Sequence, residues 1–122
     1  MNAATRVMIV DDHRMVRSAL QFALKVFQDL VVVGEARTCG EAVALCQTVQ
    51  PNVALVDMTM GAVNDGAIMQ ALRHQCPDVA VIWMMGLGDS AFLPAMLWAG
   101  DLLCIEKSGS IDDLVHVIRS VG

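Results

Sequence analysis

Five short apolar runs, each leading into a stretch of helical spacing, limit this chain more than any other feature. Val7–Val10, Leu30–Val33, Val53–Val56, Val79–Met84 and Leu102–Ile105 lack the alternation of a half-exposed strand. Unbroken runs of this kind read as strands buried on both faces. Between them, apolar residues recur three and four positions apart: Met15, Val16, Ala19, Leu20, Ala23 and Phe27, then Ala42, Leu45, Cys46 and Val49. The stretches Ala67–Gln75 and Ala91–Ala99 read as helices, and Ile111, Leu114, Val115, Ile118 and Val121 line one face of a last one. The alternation predicts one α/β domain over residues 1–122, a (βα)5 doubly wound, flavodoxin-like unit with parallel strand order 2-1-3-4-5.

The boundaries carry their own signals. Thr38-Cys39-Gly40-Glu41 and Ser110-Ile111-Asp112-Asp113 have the form of helix-opening caps. Pro51 stops the second helix, Cys76-Pro77-Asp78 breaks the third, and Gly34 is expected to close the second strand.

Composition removes several function classes. At 56% apolar residues the chain must collapse, so disorder is excluded. Thirteen acidic against 8 basic residues give a net charge of −5, the wrong sign for gripping a phosphate backbone. The most apolar window, Val79–Ile105, is broken by Asp89, Ser90, Pro94 and Asp101, so no membrane span is expected. The opening residues carry no secretory pattern, which points to the cytoplasm. Cys39, Cys46, Cys76 and Cys104 form no CxxC pair and no zinc spacing, so free buried thiols are expected.

In a doubly wound sheet, function gathers beyond the carboxyl ends of the strands. There the first strand ends in Asp11-Asp12, the third in Asp57 and the fifth in Glu106-Lys107. Carboxylates converging on one pocket repel unless a cation joins them. An all-oxygen donor set suits a hard divalent ion, Mg2+. A lysine at the same edge suits a phosphoryl oxygen. A carboxylate, Mg2+ and an ammonium are what phosphoryl transfer to an aspartate requires. Asp57 stands alone at its strand end and is the best acceptor, with Asp11 and Asp12 as the metal-holding pair. As the plainer alternative, Asp12 would simply cap the helix that follows.

Over nearly its whole length the chain resembles the receiver domain of two-component response regulators. Arg6-Val7-Met8-Ile9-Val10-Asp11-Asp12-His13-Arg14-Met15-Val16-Arg17 is similar to the opening of the NarL/FixJ-like (LuxR-type) branch, as are Val33-Gly34-Glu35-Ala36 and Ser110-Ile111-Asp112-Asp113-Leu114. The resemblance implies Asp57 as phosphoacceptor. Asp11, Asp12, Asp57 and the backbone carbonyl of Thr59 would hold Mg2+, and Lys107 would pair with the phosphoryl group. It also implies a histidine kinase or phosphotransfer protein as donor, coupling to a homodimer, and DNA contact only through a domain beyond residue 122.

Three features depart from the family pattern. Met85 falls where a hydroxyl usually reports the phosphoryl group, and a thioether cannot donate. Cys104 replaces the usual aromatic of the fifth strand. The loop after Asp57 lacks the usual proline and carries extra glycine. The stretch Ala91–Ala99 is apolar all round, so Phe92, Leu93, Met96, Leu97 and Trp98 are expected to include an interaction patch. These departures favour an alternative, an atypical receiver acting as a dimerisation or partner-binding module without phosphate. Two other classes fit poorly. A phosphohydrolase of the haloacid-dehalogenase type resembles a DxD motif with a cap domain, against the adjacent acids here. A flavodoxin-type cofactor carrier needs a phosphate-cradling loop where this chain has acids.

Overall fold

The structure, a computed structural model, describes residues 4–57, 67–85, 104–106 and 110–122, with the backbone alone at residues 39, 67–69, 85, 104 and 106. The strands are β1 (Thr5–Val10), β2 (Leu30–Ala36), β3 (Val53–Asp57), β4 (Ala80–Met85) and β5 (Cys104–Glu106). They pair in parallel in the order β2-β1-β3-β4-β5, as the alternation of elements requires. Helices α1 (Arg14–Leu24), α2 (Cys39–Val49) and α3 (Ala67–Gln75), with a C-terminal helix (Ile111–Val121), account for the described crossovers. The expected helix at 91–99, with its patch Phe92, Leu93, Met96, Leu97 and Trp98, lies outside the described residues. Among the described residues no helix is long and apolar enough to cross a membrane.

Strand pleat divides the core in two. Met8, Val10, Ala54, Val56, Val81 and Trp83 face Ala42 and Cys46 of α2 and Leu72 of α3. Val7, Ile9, Val53, Leu55, Ile82 and Met84 face Leu24 of α1 and Leu114, Val115 and Ile118 of the C-terminal helix. β3 is buried along its whole length, as a central strand covered on both faces must be. The two caps form: Thr38 Oγ1 accepts from the Glu41 amide and Ser110 Oγ from the Asp113 amide, both at 3.1 Å. In the first, the Glu41 carboxylate reaches back to the Arg37 amide at 3.4 Å.

Three expectations are corrected. Gly34 does not close β2, which continues to Ala36. The β1–β2 register shifts between Val7 and Met8, and pairing resumes with Met8 opposite Gly34. A bulge of this kind bends the strand without ending it. A Cβ at Gly34 would stand 2.6 Å from Leu45 Cδ2, so the missing side chain lets α2 lie close to the strand.

Leu20 of α1 and Phe27 just beyond the helix stay on the core, with Val16 and Ala23 half-buried, but the inward face differs at other expected positions. Met15 is 82% exposed and Ala19 is exposed, while Arg17 and Leu24 are buried. Arg17 turns inward because its guanidinium finds fixed acceptors there, and apolar spacing cannot register that pull.

Cys46 and Cys76 are not free thiols. They form a disulfide between α2 and the residue following α3, with the Cα atoms 6.5 Å apart. α2 and α3 lie side by side on one sheet face, and this brings together two cysteines that share no sequence motif.

Candidate functional site

The site begins with the register of two central strands. Val10 pairs with Val56, so the next residue on each strand, Asp11 and Asp57, emerges at the same edge of the sheet. Asp11 is 1% exposed and Asp57 is fully buried, whereas Asp12, one residue further out, is exposed. Buried acids need partners that stabilise their charge. For Asp11 the His13 amide is such a partner, donating to its Oδ1 at 2.8 Å, while the Asp11 backbone amide donates to the Ala36 carbonyl at 3.0 Å and fixes the main chain.

The bond from the His13 amide decides what Asp12 does. The residue that caps α1 is His13, in extended conformation and without a side-chain capping bond, so Asp12 is not the cap. Its carboxylate is left to the pocket. The imidazole of His13 sits among the three acids, with Nδ1 at 2.9 Å from Asp12 Oδ1, 3.1 Å from Asp11 Oδ1 and 3.9 Å from Asp57 Oδ2. One ligand atom from each of Asp11, Asp12, His13 and Asp57 lies within 4.8 Å of the others. The donor set is three carboxylates with one ring nitrogen. Its oxygen-rich character fits a hard divalent cation such as Mg2+.

Behind the acids, Arg17 holds the base of the pocket. Its Nη1 donates to the backbone carbonyl of Asp11 at 2.7 Å, and its Nε donates to Glu35 Oε1 on β2 at 3.2 Å. One guanidinium therefore ties α1 to the ends of β1 and β2. The sequence places His13 and Arg17 in the family-like opening without marking either as part of the site. A cation one position after Val16, within the apolar spacing of α1, was the available signal for Arg17.

The remaining expected site residues are less fully seen. Met85 is the last residue of β4, paired with Glu106 and one step beyond Met84, the partner of Asp57. Cys104 opens β5 opposite Trp83. For these two the backbone alone is described. Thr59 and Lys107 lie outside the described residues.

Comparison with known proteins gives a consistent picture. The family model "Response regulator receiver domain" matches residues 7–119. The response regulator UvrY of Escherichia coli is 31% identical over 116 residues, covering 94% of this chain and 53% of UvrY. The response regulator GacA of Pseudomonas aeruginosa is 29% identical over 117 residues, covering 95% of this chain and 54% of GacA. The chain thus spans about half the length of the curated relatives it matches. Among solved structures, a LuxR-family two-component response regulator from Aurantimonas sp. superposes with a TM-score of 0.82 at 25% identity, covering 98% of this chain and 85% of the other.

Proposed function

Because the chain belongs to the response regulator receiver domain family, in its NarL/FixJ-like branch, we propose that it accepts a phosphoryl group on Asp57 in a Mg2+-dependent reaction. The observation that carries this reading is the burial of the Asp57 carboxylate at a strand end beside Asp11, with Asp12 free to face the pocket.

An Asp57 carboxylate oxygen attacks the phosphorus of the donor, and the bond from phosphorus to the donor breaks as the new one forms. Asp11, Asp12, Asp57 and the Thr59 carbonyl would hold Mg2+, which supplies positive charge to the phosphoryl oxygens when bound. Arg17 keeps Asp11 in place through its backbone carbonyl, so the acid pair keeps its spacing from Asp57. Burial of Asp57 limits water around the acceptor carboxylate. Lys107 would complete the charge balance by pairing with the phosphoryl group. On this reading the protein is a phosphoacceptor, not a turnover enzyme. It takes its phosphoryl group from a histidine kinase or phosphotransfer protein in the cytoplasm. It passes the signal on by dimerisation to a transcriptional output domain lying beyond residue 122, which alone would touch DNA.

The test is intact mass after incubation with Mg2+ and a small phosphodonor such as acetyl phosphate. One phosphoryl adduct, absent in Asp57→Asn, supports the reading; an adduct that persists in Asp57→Asn refutes the assignment.

A second reading follows from Met85, which stands at the end of β4 without a hydroxyl. There the receiver fold would serve as a contact module whose partner binding ignores phosphate. Native mass with and without the phosphodonor separates the two. A change of oligomeric state on phosphorylation favours the first, and an unchanged state that still binds partner favours the second.

A further inference from the structure

The end of the sheet opposite the carboxylates carries a second chemical feature. A cleft of about 450 Å³ opens there, lined by Gln47, Gln50, Asn52, Gln75 and Asp78 together with the Cys46–Cys76 disulfide. We propose that Cys46 and Cys76 form a reversible dithiol–disulfide couple that exchanges, through this cleft, with a small peptide-like thiol of the glutathione class.

Four observations carry it. Both cysteines line the cleft but differ in exposure: Cys46 is 1% exposed and belongs to the apolar core, whereas Cys76 is half-buried. An incoming thiolate therefore meets Cys76 as the more exposed end of the bond. The reduced state is provided for as well, since Cys46 Sγ lies 3.1 Å from the Val43 carbonyl, an acceptor ready for its thiol hydrogen.

Other contacts besides the bond join the two elements. The Gln47 side-chain amide donates to Gln75 Oε1 at 2.5 Å beside the disulfide, and Ala42, Cys46 and Leu72 share one core. Finally, the cleft is of the size that holds small ligands, and its amide side chains match the amides of a short peptide. A domain with two full core layers does not need a permanent staple to fold.

The exchange balances as follows. A thiolate RS− attacks Cys76 Sγ; the Cys46–Cys76 bond breaks, and Cys46 leaves with the electron pair and takes up a proton. A second RS− attacks the R sulfur of the mixed disulfide, releasing RSSR and the Cys76 thiolate, which is also protonated. Two thiols are oxidised to one disulfide and the protein couple gains two electrons and two protons. Oxidation by glutathione disulfide is the reverse.

The native full chain, equilibrated in glutathione buffers from fully reduced to fully oxidised, is acid-quenched, alkylated and mapped by mass. Cys46 and Cys76 should pass together between a doubly alkylated and a disulfide-linked form while circular dichroism reports a folded chain throughout. In Cys46→Ala, glutathione disulfide should add one glutathione to Cys76; in Cys76→Ala, Cys46 should take none. A pair that reduces only after the chain unfolds would be a fixed staple and overturn the proposal. So would a pair that stays reduced in every buffer, or a Cys76 that stays unmodified in Cys46→Ala. Should either variant fail to fold, the wild-type map decides alone. No outcome depends on Asp57.

Discussion

The guanidinium of Arg17 donates to the backbone carbonyl of Asp11 at 2.7 Å, and the same side chain reaches Glu35 at 3.2 Å. A cation nearly buried within α1 thereby fixes the turn from which two site acids project. Replacing it with Met keeps the apolar stem but removes the donor to both acceptors. Charge-assisted bonds of this kind contribute on the order of 2 kcal/mol. Arg17→Met should lower the unfolding free energy by about that amount, read as a lower urea midpoint at unchanged slope. Arg17→Lys should recover only part, because an ammonium cannot reproduce the two directed bonds.

Metal dependence should follow the acids. Chelation by EDTA should abolish the phosphoryl adduct on Asp57. Asp12→Asn should weaken Mg2+ binding, read by titration calorimetry, by roughly tenfold or more, because it removes a charge from the ligand set. The exposed position of Asp12 predicts that this variant stays folded, with a thermal midpoint close to wild type.

The caps set the lengths of two helices. Thr38→Ala and Ser110→Ala each remove the acceptor for one amide of a first turn. Each should cost about 1 kcal/mol in denaturant unfolding, and the double variant should be additive.

Gln50 ends α2 in the left-handed region at φ 47°, the one described non-glycine residue with positive φ. A Cβ is unfavourable there by about 1 kcal/mol. Gln50→Gly should therefore raise the thermal midpoint, offset in part by the greater freedom of glycine in the unfolded chain.

The Arg119 guanidinium, through its hydrogen bonds of 2.8 and 2.9 Å to Asp29, holds the Asp29 carboxyl below its ordinary 3.8. A carboxyl lowered on folding stabilises the chain above its ordinary value, and that contribution fades as pH falls through the lowered one. The gap in thermal midpoint between wild type and Arg119→Gln should be constant above about pH 5 and narrow below 3.8. It should level off at a floor, because the stacking of Arg119 over Phe27 at 5.5 Å does not titrate. Both groups are solvent-exposed, so the effect should be small and shrink in salt.

The strands and three of the acids were legible because each signal is local. An apolar run reveals a buried strand, and an acid directly after it falls at the strand's end, as with Val10-Asp11 and Val56-Asp57. His13 and Arg17 were harder, since their roles depend on where α1 sits relative to β2 and β3. Apolar spacing placed Met15 inside and took no account of Arg17, because periodicity counts hydrophobic residues and an ion pair can turn a helix against that count. The Cys46–Cys76 bond joins residues that only the tertiary fold makes neighbours, so no spacing rule reached it. Gly34 signalled a stop but is a paired residue of β2 just past a register shift, where the lack of a side chain serves the packing of Leu45.

The pairing of β1 with β3 has a consequence for the newly made chain. Asp11 emerges early and has no site until β3 has been synthesised and has docked beside β1 in register. Closing so long a loop is an entropic cost met only by the completed central sheet. A slip of one residue would turn Asp57 to the opposite face and scatter the acids. If Asp57 is the acceptor proposed above, its competence would report on assembly itself, and a half-made or misregistered chain would be deaf to a donor.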